Sequence, residues 1–401
     1  MTDTTIDIDA WRRNIRQDVQ INYHASMAWA LLAEGSNDAA ADHFRRVLAV
    51  DATVAEARWG LEHSLGQHSP GQVGGDGPPD VAARALTQLA KALLLRSRRA
   101  DAVPILQEAL RQDGDCADAL IVSARLQAED KHWALVLEQA VRAGMLAPDH
   151  AAEAGLILHH AAGQCLGIPD YPLAEQLAAA SCRMRPDSAL FRELWSSILV
   201  GQARYAEAAA AYDGIDPAAL SPVGRFGLAA CCLFLGLYQR GLQAMEGVLE
   251  AKHDPVMGTI VLSALQLAVG NGTEALARVT DTLARHPDHL LLTMQKAFLL
   301  GECGEPGQAL RLADGLVAPD PLTGAYIQFR RAGILLRANR LAEAEEAARS
   351  AVATAPDRPS NHRQLARVLA ARGLPDQATE VEAQAAGLVE PFNPVRWLPP
   401  A

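Results

Sequence analysis

"NRLAEAEEAARSAVATAPDRP", residues Asn339–Pro359, decides how the chain folds. Ala344, Ala348 and Ala351 recur in it at helical spacing, while Glu343, Glu345, Glu346 and Arg349 take the other positions. Alanine is the best helix former, and apolar residues three or four apart share one helix face. The spacing predicts a helix with a small buried face and a charged outer face, stopped by Pro356. One such helix defines no fold; its recurrence along the chain does.

Working outward, turn residues stand at Ala203, Gly236, Gly270, Gly304, Asn339 and Gly373, separated by 33, 34, 34, 35 and 34 residues. Five positions after each comes a small residue: Ala208, Gly241, Ala275, Ala309, Ala344 and Ala378. Pro287, Pro321 and Pro356 keep the same step. Glycine or asparagine tolerates the left-handed backbone that ends a first helix. The small residue lets a neighbouring helix approach the second one, and proline stops that helix and restarts the chain. Between these points apolar residues recur at three and four, as in "LLTMQKAFLL" and "FRRAGILLRA". Three ladders in one register indicate a helical-hairpin repeat.

This pattern resembles the tetratricopeptide repeat. The fit is best in units beginning near Ala189, Pro222, Val256, Leu290, Ala325 and Pro359, and "ARYAEAAAAYDGIDP" comes nearest to the family's second helix. Weaker units end near Ala52, Gly114, Pro148 and Pro186, so the resemblance runs from about Ile21 to Leu388. The unit around Lys131–Trp133 lacks the glycine turn, and Gly241 replaces the usual alanine. The resemblance implies an all-α, right-handed α-solenoid of about ten hairpin units. The expected division is a helical unit at 1–66, a linker at 67–80, the repeat array at 81–388 and an extended tail at 389–401. The linker is expected from "GQHSPGQVGGDGPPD", and "VAEARWGLEHSL" before it reads as a capping helix without a partner.

Composition narrows the function. Half of the 401 residues are hydrophobic and 21% are charged, a soluble balance with ample core. The net charge of −11 argues against nucleic acid, which calls for a basic surface. Apolar runs such as "LAACCLFLGL" are half the length of a membrane span, and the first residues carry no secretory pattern. A soluble, cytoplasmic protein is expected, without membrane insertion. The six scattered cysteines form no CxxC pair and read as buried thiols; of Cys231 and Cys232, one is expected inside and the other near the concave face.

No carrier of catalysis stands out. "GGDGPP" lacks the lysine of a phosphate loop, and no HExxH or GxSxG occurs. His159 and His160 diverge by about 100° on a helix, which disfavours one shared metal ion. "RHPDH" reads as a turn between units. Neither enzyme activity, cofactor nor metal is expected.

The resemblance implies that the first helices line a concave groove. Relatives that grip acidic chaperone tails use lysine and asparagine there; here the equivalent positions are mostly apolar. They are Val223 and Phe226, Met257 and Ile260, Leu291, Met294 and Phe298, then Tyr326 and Phe329. Arg330, Arg337, Arg363 and Arg367 make the last units basic. Together these suit an amphipathic or acidic-ended segment. In the tail, Phe392, Trp397 and Leu398 are costly to leave in water and are expected to dock on the last helix, on a partner or on another copy. The reading is a scaffold or adaptor that binds a protein or peptide. The alternatives are a substrate-recognition subunit for a separate glycosyl- or sulfotransferase, and a self-assembling structural scaffold.

Overall fold

The computed structural model describes residues 8–66, 78–166, 171–246 and 255–388. Among these the regular structure is twenty-one α-helices and two short 3-10 turns, with no strand. Contacts divide the chain into two compact units, Met1–Pro186 and Asp187–Ala401.

The first unit contains α1 (Ile8–Ala33), α2 (Asn37–Val50), α3 (Ala55–Ser64), α4 (Pro79–Leu95), α5 (Arg99–Gln112), α6 (Ala117–Glu129), α7 (Trp133–Leu146), α8 (Ala151–Cys165) and α9 (Tyr171–Met184). It comprises four hairpins, α1/α2, α4/α5, α6/α7 and α8/α9, with α3 packed on α2 and α4. Helix α1 also packs on α4. Arg98 donates to the Ala33 carbonyl at 2.5 Å, and Arg84 pairs with Glu56 at 2.5 Å. Gly60 explains how α3 seats: a Cβ there would lie 2.4 Å from the Phe44 ring. Residues 67–77 of the expected linker and 389–401 of the expected tail lie outside the described residues.

The second unit contains α10 (Ala189–Gly201), α11 (Tyr205–Ala210), α12 (Pro222–Phe234), α13 (Tyr238–Met245), α14 (Pro255–Ala268), α15 (Gly272–Arg285), α16 (Leu290–Glu302), α17 (Pro306–Asp314), α18 (Pro321–Arg337), α19 (Leu341–Thr354), α20 (Pro359–Ala371) and α21 (Pro375–Ala386). These pair into six hairpins, which makes ten among the described residues. The hairpin expected near Ala325 starts at Pro321. Asp320 caps α18 by accepting from the Thr323 N–H, and the proline takes the first helical position, where no N–H is required.

Every predicted turn residue is left-handed, including Ala203 at φ 58° and Asn339 at φ 56°. Ser97 at 59° and Lys131 at 61° make the same turn without glycine. The turn is held by a six-to-one bond, as from Glu305 N–H to the Leu300 carbonyl at 2.8 Å and Arg340 N–H to Leu335 at 2.9 Å. Such bonds offset the roughly 1–2 kcal/mol that a side chain costs in this region.

The small-residue ladder is buried: Ala208, Ala275, Ala309 and Ala344 are fully inaccessible. Gly241 departs from alanine because a Cβ would stand 2.7 Å from Leu265 Cδ2 and 3.2 Å from Cys232 Cβ. Contrary to expectation, Cys231 and Cys232 are both fully buried. Helix α12 is packed on two sides, so Cys231 joins Leu199 and Ala208 while Cys232 joins Ala244 and Leu265. Cys303, expected inside, is exposed.

Charges also link consecutive hairpins, 27 residues apart in three pairs and 17 in the fourth. Lys91 pairs with Asp118 at 2.6 Å, Arg142 with Asp115 at 2.7 Å, Arg240 with Asp213 at 2.8 Å, and Arg331 with Asp314 at 2.9 Å. In the opening stretch, Glu345 is half-buried because it accepts from Arg349 on its own helix and Arg372 after the next. Exposed pairs of this kind contribute about 0.2–1 kcal/mol each.

Candidate interaction face

In the second unit, α10, α12, α14, α16, α18 and α20 are the first helices of their hairpins, and successive ones touch. Counting back thirteen residues from the left-handed Gly236, Gly270, Gly304 and Asn339 gives Val223, Met257, Leu291 and Tyr326. Ten residues back lie Phe226, Ile260, Met294, Phe329 and Arg363; six back lie Phe298 and Arg367. Equal register places each set in equivalent positions on successive helices.

Exposure divides these residues. Val223 is 54% exposed. Phe226, Met257, Leu291 and Tyr326 are half-buried, and Arg363 and Arg367 are open to solvent. Ile260 and Met294 are fully buried, and Phe298, Phe329 and Arg330 nearly so. For these five, an open groove position is corrected: between successive helices the side chain points into the contact. Ile260, for instance, packs with Val279, Leu292 and Leu299.

Arg330 departs furthest from expectation. Its guanidinium carbon lies 4.3 Å from the Phe298 ring centroid, 5.2 Å from Tyr326 and 5.8 Å from Phe329. Its Nε donates to the Tyr326 hydroxyl at 2.5 Å. A ring face carries negative potential, so three aromatic side chains partly replace the water a buried cation loses. Burial pushes the Tyr326 phenol up, and the Arg330 charge opposes that shift. Nearby, Gln295 is fully buried and donates to Ser263 Oγ at 3.1 Å across α16 and α14. Arg337 pairs with Glu302 and Arg363 stands 4.0 Å from Glu382, while Arg367 donates to Gln364, so the exposed basic end is partly neutralised within the chain.

Other candidates stand apart from this face. A cleft of about 720 Å³ between α7 and α9 is lined by Leu137, Val141, Met145 and Ala179, with Arg142 and Arg183 at its edge. Its signal in the sequence is a second apolar stripe on second helices, Leu137, Val141 and Met145 at four-residue spacing. Burial, with a smaller effect from His160, lowers the pKa of the His159 imidazole. Among the described residues no three His, Cys, Asp or Glu side chains converge as a metal-binding group, and no helix is long and apolar enough to cross a membrane.

Among the described residues, nine of the ten hairpins carry a left-handed turn residue, and eight of those nine a small residue five positions later, which is the hairpin pattern of a tetratricopeptide-type fold. No protein-family model matches it, and no curated protein does. Solved structures similar to it include a tetratricopeptide repeat protein from Parabacteroides merdae, at 13% identity over 67% of this chain and 98% of that one, with a TM-score of 0.45. A thermophilic tetratricopeptide repeat protein from Thermus thermophilus matches 54% of this chain and 99% of its own at 18% identity and a TM-score of 0.35. Yeast Tom70 covers 93% of this chain and 92% of its own at 12% identity, with a TM-score of 0.37. The fold description rests on the hairpins of the chain itself.

Proposed function

We propose that the chain is a non-enzymatic adaptor that docks a protein segment on the first helices of residues 187–388. The observation that supports this most is the combination of Val223, Phe226, Met257, Leu291 and Tyr326, in whole or part accessible, with exposed Arg363 and Arg367 on the last first helix. Partial burial holds each apolar side chain in place while leaving area for a ligand to cover. Covering one such side chain completely is worth roughly 1.5–3 kcal/mol, so two or three anchors suffice for measurable binding. The two arginines favour a carboxylate-bearing end through charge-assisted hydrogen bonds. A segment with spaced apolar side chains and an acidic terminus fits this chemistry.

Selection of random peptides on the purified full chain tests the proposal. It should enrich apolar, acidic-ended sequences whose binding weakens with salt. Their affinity should fall in Val223→Glu/Leu291→Glu and in Arg363→Glu/Arg367→Glu. Enriched peptides that bind both variants normally would refute this face as the docking site.

A further inference from the structure

The hairpin of α1 and α2 carries a histidine on each helix, and the two rings meet. His24 on α1 lies eleven residues before the left-handed Gly35, and His43 on α2 eight residues after it. Each stands one turn before a fully buried residue, Ala28 and Val47, so both sit at the seam between the helices. Their Nδ1 atoms are 3.1 Å apart and the ring centroids 5.1 Å, so the two nitrogens face each other. The frame behind them is packed: Trp29 and Phe44 meet edge-to-face at 4.8 Å, and Phe44 is fully buried.

Separation and chemistry both suit a metal ion. Two nitrogens 3.1 Å apart, each bound at about 2.0–2.1 Å, subtend roughly 100° at the ion. That angle lies between the square-planar and tetrahedral values, the geometries that copper and zinc take with imidazole. Burial, then His24 and Arg46, lower the pKa of the His43 imidazole, which keeps it unprotonated and available as a ligand at neutral pH. In the neutral pair one Nδ1–H donates to the other Nδ1. For both to ligate, that proton moves to Nε2 of its own ring, and none is released. Asp42, beside His43, is exposed and pairs with Arg45 at 2.7 Å, and its charge acts on His43 against that of Arg46.

We propose that His24 and His43 form a two-histidine site for a divalent transition-metal ion of the zinc and copper type, which clips α1 to α2. Water completes the coordination, because among the described residues no third His, Cys, Asp or Glu joins the pair. Affinity is therefore lower than in closed four-ligand sites. Each ligand rises from a packed helix, so the pair is in place before the ion arrives. Tyr23 flanks the site, its ring 5.1 Å from that of His24 and 6.5 Å from that of His43. The ion cross-links residues nineteen apart in sequence. It stabilises the folded hairpin over the unfolded chain, where the two imidazoles are not held together.

Calorimetric titration of Zn2+ into the full chain carrying Cys303→Ser, which removes the exposed thiol, tests the site. One ion per chain should bind. His24→Gln or His43→Gln alone should weaken binding by on the order of a hundredfold, because a single imidazole cannot chelate. The double variant should bind no more weakly than either single one. His159→Gln/His160→Gln should bind as the Cys303→Ser chain does. Zn2+ should also slow hydrogen exchange in α1 and α2, a readout that needs no histidine variant to fold. Absence of one-to-one binding would overturn the proposal. So would binding that survives His24→Gln/His43→Gln, or slowed exchange confined to other helices.

Discussion

The guanidinium of Arg330 on α18 lies 4.3 Å over the ring of Phe298 on the preceding first helix, α16. A nearly inaccessible cation thereby joins two consecutive repeats through an aromatic face. A desolvated contact of this kind is worth about 2 kcal/mol. In a double-mutant cycle of Arg330→Met and Phe298→Leu, urea unfolding should show a coupling of roughly 1–2 kcal/mol. Arg330→Lys should not restore it fully, because an ammonium lacks the planar stacking surface. Coupling near zero would mean that Phe298 serves only as apolar packing.

Two glycines separate backbone strain from crowding. Gly304 has φ 90° with no atom near an added Cβ, so Gly304→Ala should cost about 1–2 kcal/mol through conformation alone. Gly60→Ala meets the Phe44 ring at 2.4 Å and should destabilise by roughly 1–3 kcal/mol through overpacking. Phe44→Leu should recover part of the second loss. No trimming around Gly304 should recover the first. Chemical unfolding of Gly304→Ala, Gly60→Ala and the double variant Gly60→Ala/Phe44→Leu measures both.

Thiol labelling of the native chain should modify Cys303 and spare the five buried cysteines. Burial, with Cys232 adding to it, pushes the Cys231 thiol up to about 12, so it carries neither thiolate nor access. Burial followed by Glu302 and Glu305 raises Cys303 as well. Its labelling at neutral pH should therefore be slower than that of a free cysteine. The rate should climb about tenfold per pH unit below its raised pKa. Rapid labelling of a second site without denaturant would contradict the packing of α12.

Much of this architecture was legible in the sequence because the repeat repeats its punctuation. Ala203, Gly236, Gly270, Gly304, Asn339 and Gly373 marked the left-handed turns, and Ala275, Ala309 and Ala344 the close helix contacts. Depth within the face was less legible. Ile260 and Val223 are both apolar residues of a first helix, yet one is sealed between helices and the other open, a difference set by tertiary packing. Arg330 read as a surface charge because Phe298, the ring that receives it, lies a full repeat upstream. Tyr326 four residues before it and Phe329 beside it were the available local signal. On α1, the exposed residues Ile15, Val19, Tyr23 and Met27 keep a four-residue spacing. That spacing begins before the recognisable repeat, which starts near Ile21, so the repeat pattern gave it no register.

A segment docked on the first helices of residues 187–388 shields their backbone from solvent. Hydrogen exchange on the full chain, with and without a saturating selected peptide, tests it most directly. Slowed exchange should concentrate in α12, α14, α16, α18 and α20, with α13, α15, α17 and α19 little changed. Protection confined to those second helices, or to the cleft between α7 and α9, would contradict the account.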